Sequence, residues 1–329
     1  MNIGIPSRHA VNVLGIVLAL LAPSWAGPFY LPNEHPVTRL FGIPPAESGF
    51  VAERTFLLAS LDIANNSTDD LAGGEVLMLD GETTVARLAL RQGVAEKWEL
   101  GVDIPYVRHA GGGLDGFIES YHDTFGFPQG NRKEIPADRL RYAYVRDLKT
   151  LLYVADAVDG PGDIRVSLGR QLYTAADRSR AVAARAAVEW PTGERADLLG
   201  SGSTDLSLSI AGTDTAWLHP LRLDVSLGVL VMTGGGLLEE WRETAAGFGS
   251  VTLGWPAGKR LVFKLQLDAH SPLFHGLEAG TLDDWACQAA LGGTLRLPGT
   301  WALDIAVAED AAVTTAPDVV FHLALSREW

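Results

Sequence analysis

Between residues 221 and 231 the side chains alternate without a break. Leu221, Leu223, Val225, Leu227, Val229 and Val231 are apolar, while Arg222, Asp224, Ser226 and Gly228 between them are polar or small. A strand sends successive side chains to opposite faces, so this pattern predicts a half-buried strand and excludes an amphipathic helix. The same two-residue period recurs near 84–90, 100–106, 164–168, 204–210, 261–267, 301–307 and 319–325. Short connections near 95–97, 175–177, 213–220, 256–259 and 298–299 alternate with longer ones near 64–73, 110–161, 191–202, 234–242, 271–284 and 311–317. Short turns at one end and long loops at the other are the habit of bacterial outer-membrane barrels. The expected fold is all-β: a closed antiparallel transmembrane β-barrel of about 12 strands, with short periplasmic turns and longer outer loops.

The question such a pattern leaves is what the apolar face meets, lipid or a second sheet. Three features favour lipid. Charges of both signs fill the opposite face, as in a polar lumen. Trp98, Trp217, Trp255, Trp301 and Trp329 fall at expected periplasmic strand ends, and Trp190, Trp241 and Trp285 at outer ends, where amphipathic indoles suit the headgroup level. The last strand ends on the aromatic Trp329. With 47% hydrophobic and 20% charged residues the chain has the composition of an ordered protein. A net charge of −14 argues against nucleic acid as a partner. Cys287 is the single cysteine, which leaves no intramolecular disulfide and no cysteine-based metal site.

Residues 1–26 read as an export signal. Arg8 and His9 precede an apolar run from Ala10 to Ala22, and Ser24 and Ala26 set small residues ahead of a cleavage point before Gly27. Residues 27–49 form a Pro-rich arm that supplies too few donors for a central strand; it belongs in the periplasm or tucked into a barrel end. Residues 50–329 make the barrel, with 110–161 as a long outer or lumen loop.

Several segments carry a resemblance: Pro28 to Pro44 (ending Leu40-Phe41-Gly42-Ile43-Pro44), Asp80-Gly81-Glu82-Thr83, Trp98-Glu99-Leu100-Gly101, and Leu114-Asp115-Gly116-Phe117-Ile118-Glu119 with His122 and Phe125-Gly126. Arg139-Leu140-Arg141-Tyr142, Pro191-Thr192-Gly193, His270-Ser271-Pro272 and Glu309-Asp310 extend it. On these the chain resembles a family of uncharacterised Gram-negative outer-membrane proteins, domain of unknown function 3187. It is more loosely similar to barrels linked to aromatic degradation. The resemblance implies an outer-membrane barrel and carries over no activity and no catalytic residue.

The long loop offers two candidate clusters. Asp115, Glu119, His122 and Asp123 would bring carboxylates and an imidazole to one face of a helical turn, a donor set for a divalent cation; the alternative is a folded constriction whose charges pair with the lumen, and no metal is assigned. Arg132, Lys133, Arg139, Arg141, Arg146 and Lys149 suit lipopolysaccharide phosphates, or else pair with acids of their own loop. Asp268, His270 and Ser271 suggest a membrane-embedded hydrolase, yet adjacent residues on a strand point to opposite faces. Gly200-Ser201-Gly202-Ser203 lacks the lysine of a phosphate loop.

The expected function is a narrow channel or transport route for small solutes, hydrophobic ones included. The alternatives are an outer-membrane lipid hydrolase and a secreted β-sandwich that binds a ligand. No cofactor is implied. Expected partners are outer-membrane lipid and lipopolysaccharide, the barrel-assembly machinery and a small-molecule solute.

Overall fold

The computed structural model describes residues 26–114, 116, 120, 123, 138–279, 282–311 and 315–329. Its strands are β1 (Thr55–Ala72), β2 (Glu75–Ala95), β3 (Trp98–Ala110), β4 (Arg141–Arg146), β5 (Lys149–Val154), β6 (Val158–Pro161), β7 (Ile164–Thr174), β8 (Arg180–Trp190), β9 (Asp205–Asp214), β10 (Arg222–Met232), β11 (Ala245–Pro256), β12 (Leu261–His270), β13 (Ala286–Arg296), β14 (Trp301–Asp310) and β15 (Val319–Glu328). Twelve of them form one antiparallel ring in the order β1, β2, β3, then β7 through β15. The ring closes where β15 returns to β1, with Phe56 opposite Glu328 and Asn65 opposite Val319. The strands make one ring and not two stacked sheets. Among the described residues no helix is long and apolar enough to cross a membrane.

The two faces of the ring invert the pattern of a water-soluble protein. On β10, Leu227, Val229 and Val231 are exposed, whereas Arg222 and Asp224 on the lumen side are 1% and 2% exposed. Outward leucines also stud β2, β3, β9, β12 and β13, among them Leu88, Leu100, Leu208, Leu265 and Leu291. A chain that exposes its leucines and buries its arginines is built for a hydrocarbon solvent. Trp217, Trp255 and Trp329 stand exposed at the short-turn end, and Trp190 and Trp285 at the long-loop end.

β1 and β2 hold 18 and 21 residues, where about 9–11 suffice to span a bilayer. Their far ends therefore project beyond the ring. The stretch 64–73, expected as a loop from its Asn, Ser, Thr and Asp content, is strand up to a tight Gly73–Gly74 turn. Polar residues suit this part of the hairpin because it stands outside the bilayer. β2 changes partner at Gly81: Glu82 lies opposite Ala110 of β3, and Asp80 opposite Arg141 of β4. Gly81 has φ near 146°, and a Cβ there would lie 2.8 Å from Leu140 Cδ1, so the switch demands glycine.

The segment 110–161 is likewise more than a loop. It supplies β4 and β5, which extend the sheet from the projecting end of β2, and β6, which continues β3 above β7. Together with the outer loops these strands enclose an apolar cap. Leu77 and Leu79 of β2, Tyr142 and Tyr144 of β4, Leu152, Leu198, Leu237, Leu273 and Phe274 all contribute to it. Trp241, expected in the outer aromatic girdle, packs against this cap beneath the Arg146 guanidinium, 4.9 Å from its centroid. Its loop folds inward over the cap, away from the lipid face.

Candidate functional site

The lumen is occupied by the chain's own Pro-rich arm. Residues 26–33 climb one side of the barrel from the short-turn end, residues 34–42 cross beneath the cap, and residues 43–52 descend the other side to β1. The climbing limb is held at three heights on β12. Lys264 Nζ donates to the Gly27 carbonyl at 3.0 Å, the Gln266 amide bonds both the Phe29 N–H and its carbonyl, and Asn33 Nδ2 reaches His270 Nε2 at 3.3 Å. Alanines on the lumen face leave the volume the limb fills: Phe29 and Leu31 pack among Ala64, Ala290, Ala306, Ala308 and Val320. These small residues at inward positions of β1, β13, β14 and β15 are what keep that wall open to a second layer of chain.

The descending limb meets the opposite wall. Gly42 N–H donates to Asp205, Gly49 N–H to Thr213, Val51 N–H to Gln171 and Ala52 N–H to Glu99. Gly49 has no room for a side chain, since a Cβ would stand 2.4 Å from the Ala181 carbonyl oxygen. Arginines satisfy the limb's carbonyls. Arg165 donates to Ile43, and Arg185 donates to Ser48 and Phe50 at 2.9 Å each. A proline-rich segment cannot pair as a ladder strand, so side chains of the wall supply its hydrogen bonds instead.

Two carboxylates of the arm enter the wall's charge network. Glu34, fully buried, pairs with Arg87 at 2.8 Å and with Arg39 of the arm itself at 3.4 Å. Arg87 also holds Asp62, whose second oxygen contacts His322. Glu47 lies 3.1 Å from Arg185 and 3.5 Å from Arg91. Arg91 and Arg165 share Asp103, and the Tyr30 hydroxyl donates to the same carboxylate. Charges buried this deeply are tolerable only when each is paired, and each of these is. What space remains is small. One cavity of about 40 Å³ lies between the arm and β3, β7 and β8; a second, of about 30 Å³, lies between the arm, β11, β12 and β13. Neither holds more than a few waters.

At the outer end Glu75 clamps the cap. It accepts from the Tyr144 hydroxyl at 2.8 Å and from the Glu278 and Ala279 N–H groups at 2.9 and 3.0 Å, and pairs with Arg146. Burial pushes its carboxyl up, but the Ala279 N–H, Tyr144, the Glu278 N–H and Arg146 together hold it below the usual carboxylate value. Burial and the neighbouring Glu75 push the Tyr144 hydroxyl up.

Of the residues singled out from the sequence, Asp115, Glu119 and His122 lie outside the described residues; Asp123 is described and exposed. Arg139 pairs with Asp80 at 2.7 Å, and Arg141 opens β4 with its side chain exposed. Asp268 and His270 both border the 30 Å³ cavity. His270 points its ring nitrogens at Asn33 and at the Ser271 carbonyl, while Ser271 Oγ accepts from the Gly247 N–H. No base-to-nucleophile contact joins them. Among the described residues no group of three or more His, Cys, Asp or Glu side chains could hold a metal ion. The residues that do converge, Arg87, Arg91, Asp103, Arg165 and Arg185 on the wall with Glu34 and Glu47 on the arm, carry no local motif. Their only sequence signal is a run of charges at inward positions of neighbouring strands, matched by acids in the Pro-rich arm.

Residues 17–329 match the family described as Protein of unknown function (DUF3187). The chain belongs to this family. No curated protein matches it. The solved structures similar to this DUF3187 barrel include the COG4313 outer membrane channel from Pseudomonas putida F1. That structure is 11% identical with a TM-score of 0.58, over 88% of this chain and 100% of the channel. The NanC porin is 7% identical over 83% of this chain and 100% of its own, with a TM-score of 0.44. The Ralstonia pickettii toluene transporter TbuX is 10% identical over 89% and 98%, with a TM-score of 0.40. At these identities the likeness is one of fold. The DUF3187 barrel thus shares its β-barrel fold with the COG4313 outer membrane channel.

Proposed function

We propose that the protein is an arm-gated channel of the outer membrane that passes small solutes, seen here closed. One observation carries this reading: the arm enters and leaves the lumen at the same, periplasmic, end and occupies it, with cavities of about 40 and 30 Å³ beside it. A segment anchored in that way can withdraw without unthreading the ring. Along its two limbs many of its anchors are hydrogen bonds and ion pairs that water or a polar solute can replace one by one, while Phe29, Leu31, Val37, Leu40 and Phe41 add apolar contacts that opening must break. The fold-level likeness to a channel agrees with this reading but does not carry it. A hydrophobic solute would meet the apolar cap first, then a strongly polar passage. Residues 1–26 act, on this reading, as a cleaved export signal; β15 with the adjoining Trp329 is the strand the barrel-assembly machinery reads; and the exposed Arg141 would meet lipopolysaccharide phosphates at the outer face.

The test is a reversible lock. A Cβ on Gly42 would stand 3.0 Å from the Asp205 Cβ, so a Gly42→Cys, Asp205→Cys pair in a Cys287→Ser background should bridge the arm to β9 when oxidised. Planar-bilayer recordings should show conductance under reducing conditions and its loss on oxidation. Equal conductance in both states would remove the gating proposal.

A further inference from the structure

We infer that the arginines which hold Glu47 and Glu34 are a binding site for small organic carboxylates, and that the arm's glutamates are its tethered occupants. This inference rests on the gating reading above and names the class of solute it would admit. Arg87 and Arg91 of β2, Arg165 of β7 and Arg185 of β8 line one continuous stretch of the lumen wall spanning the four neighbouring strands β2, β3, β7 and β8. Four wall carboxylates lie among them: Asp62, Glu99, Asp103 and, beside the cavity that Arg165 also lines, Glu189. The arm sets Glu34 and Glu47 among these guanidinium groups, together with its own Arg39. The donors aimed at the arm are specific. Arg185 donates Nε to Glu99 of the wall and both terminal nitrogens to the Ser48 and Phe50 carbonyls, with Glu47 3.1 Å from Nε, and Arg165 turns one nitrogen toward Ile43.

When the arm leaves, Arg87 loses Glu34, Arg185 loses the Ser48 and Phe50 carbonyls and its neighbour Glu47, and Arg165 loses the Ile43 carbonyl. Buried guanidinium groups must be matched by oxygen acceptors with negative charge, and a planar carboxylate fits their forked geometry. Arg222 and Lys264, the basic groups of the facing wall, are matched within the wall by Asp224 and Asp304. Asp163 and Asp205, nearer the outer end, are engaged by the Gly193, Ser201 and Gly42 N–H groups. The guanidinium groups that bond Glu34 and the Ile43, Ser48 and Phe50 carbonyls all stand on the face that holds the arm's glutamates. A solute carboxylate entering there competes directly with Glu47, so binding and opening are one event.

Propionate, which reproduces the glutamate side chain from Cβ outward, is the probe, and propionamide its uncharged control. In planar bilayers propionate should raise the open fraction of the unmodified channel about tenfold over propionamide, the scale expected of a charge-assisted contact, and Arg185→Gln should abolish the response. Calorimetric titration of folded Glu47→Ala should show propionate binding at least about tenfold tighter than to the unmodified chain, since the tethered competitor is gone. Should E47A fail to give a folded, heat-modifiable band, Glu34→Ala serves the same titration at Arg87. An open fraction indifferent to propionate, or a vacated site that takes up propionate and propionamide alike, would overturn the inference. The reversible lock fails independently: a cross-link without effect on conductance removes the gate, while the titration still decides the ligand.

Discussion

Arg185 Nε lies 3.1 Å from Glu47 of the arm and 2.7 Å from Glu99 of β3, so one guanidinium joins the plug to a strand two places round the ring. Replacing it with glutamine should strand two largely buried carboxylates and free the carbonyls of Ser48 and Phe50. Breaking one partner of a buried ionic cluster costs about 3–5 kcal/mol. The expected readout is earlier loss of the compact band on heating, and protease cleavage within residues 43–52 from the periplasmic side. An unaltered band shift and an intact arm would show that the limb is held elsewhere.

Gly49 offers a substitution that acts on the plug and spares the ring. A valine there must displace the Ala181 carbonyl or the Thr213 N–H, which a Cβ would approach to 2.4 and 2.6 Å. Gly49→Val should leave the barrel folded, with its heat-modifiable migration intact, but dislodge the descending limb. Single-channel recording should find it open far more of the time than the unmodified chain. A variant as closed as its parent would place the seal outside the descending limb.

Leu227 stands midway along β10 on the outward face and is 63% exposed. If hydrocarbon surrounds it, Leu227→Arg should destabilise the folded barrel by about 2–4 kcal/mol, measured by equilibrium unfolding in lipid vesicles. In a water-facing setting the same change would be nearly neutral, so the measurement separates the two surroundings directly.

The clamp at Glu75 should make the cap acid-labile. Its carboxyl titrates lower in the folded state than in the unfolded chain, so the folded state favours the ionised form. The stabilisation is complete above the ordinary carboxylate range and is lost as pH falls through the depressed folded value. Hydrogen exchange of β4 and β5 should accelerate on acidification below pH about 4 and hold steady above it. Glu75→Gln should give fast exchange at every pH. Exchange rates in the unmodified chain that do not respond to acid would dispose of the clamp.

The barrel was legible because its signal is periodic. On β10 the alternation Arg222, Asp224, Ser226 against Leu223, Val225, Leu227 reports directly on two solvents, and each ring strand repeats that message. The arm's location was not legible, because Pro32, Pro36, Pro44 and Pro45 say only what the segment cannot be. Its docking depends on inward alanines such as Ala290 and Ala306, and a small residue on a polar face looks the same whether it faces water or a packed neighbour. The stretch 64–73 was misleading for a different reason: composition marks it as a loop, but its pairing with the apolar β2 makes it strand. The converging arginines lie on separate strands, and only closure of the ring sets their side chains around Glu34 and Glu47.

The junction between β1 and β15 bears on how the barrel is assembled. Pairing of these two strands closes the ring, and the arm is joined to one side of that seam. The arm must already lie within the curling sheet when the seam is made, or else slip in afterwards through the periplasmic mouth. In the first case its glutamates and the wall arginines neutralise one another while the sheet is still open. The plug would then serve as a template on which a highly charged interior condenses before lipid encloses it.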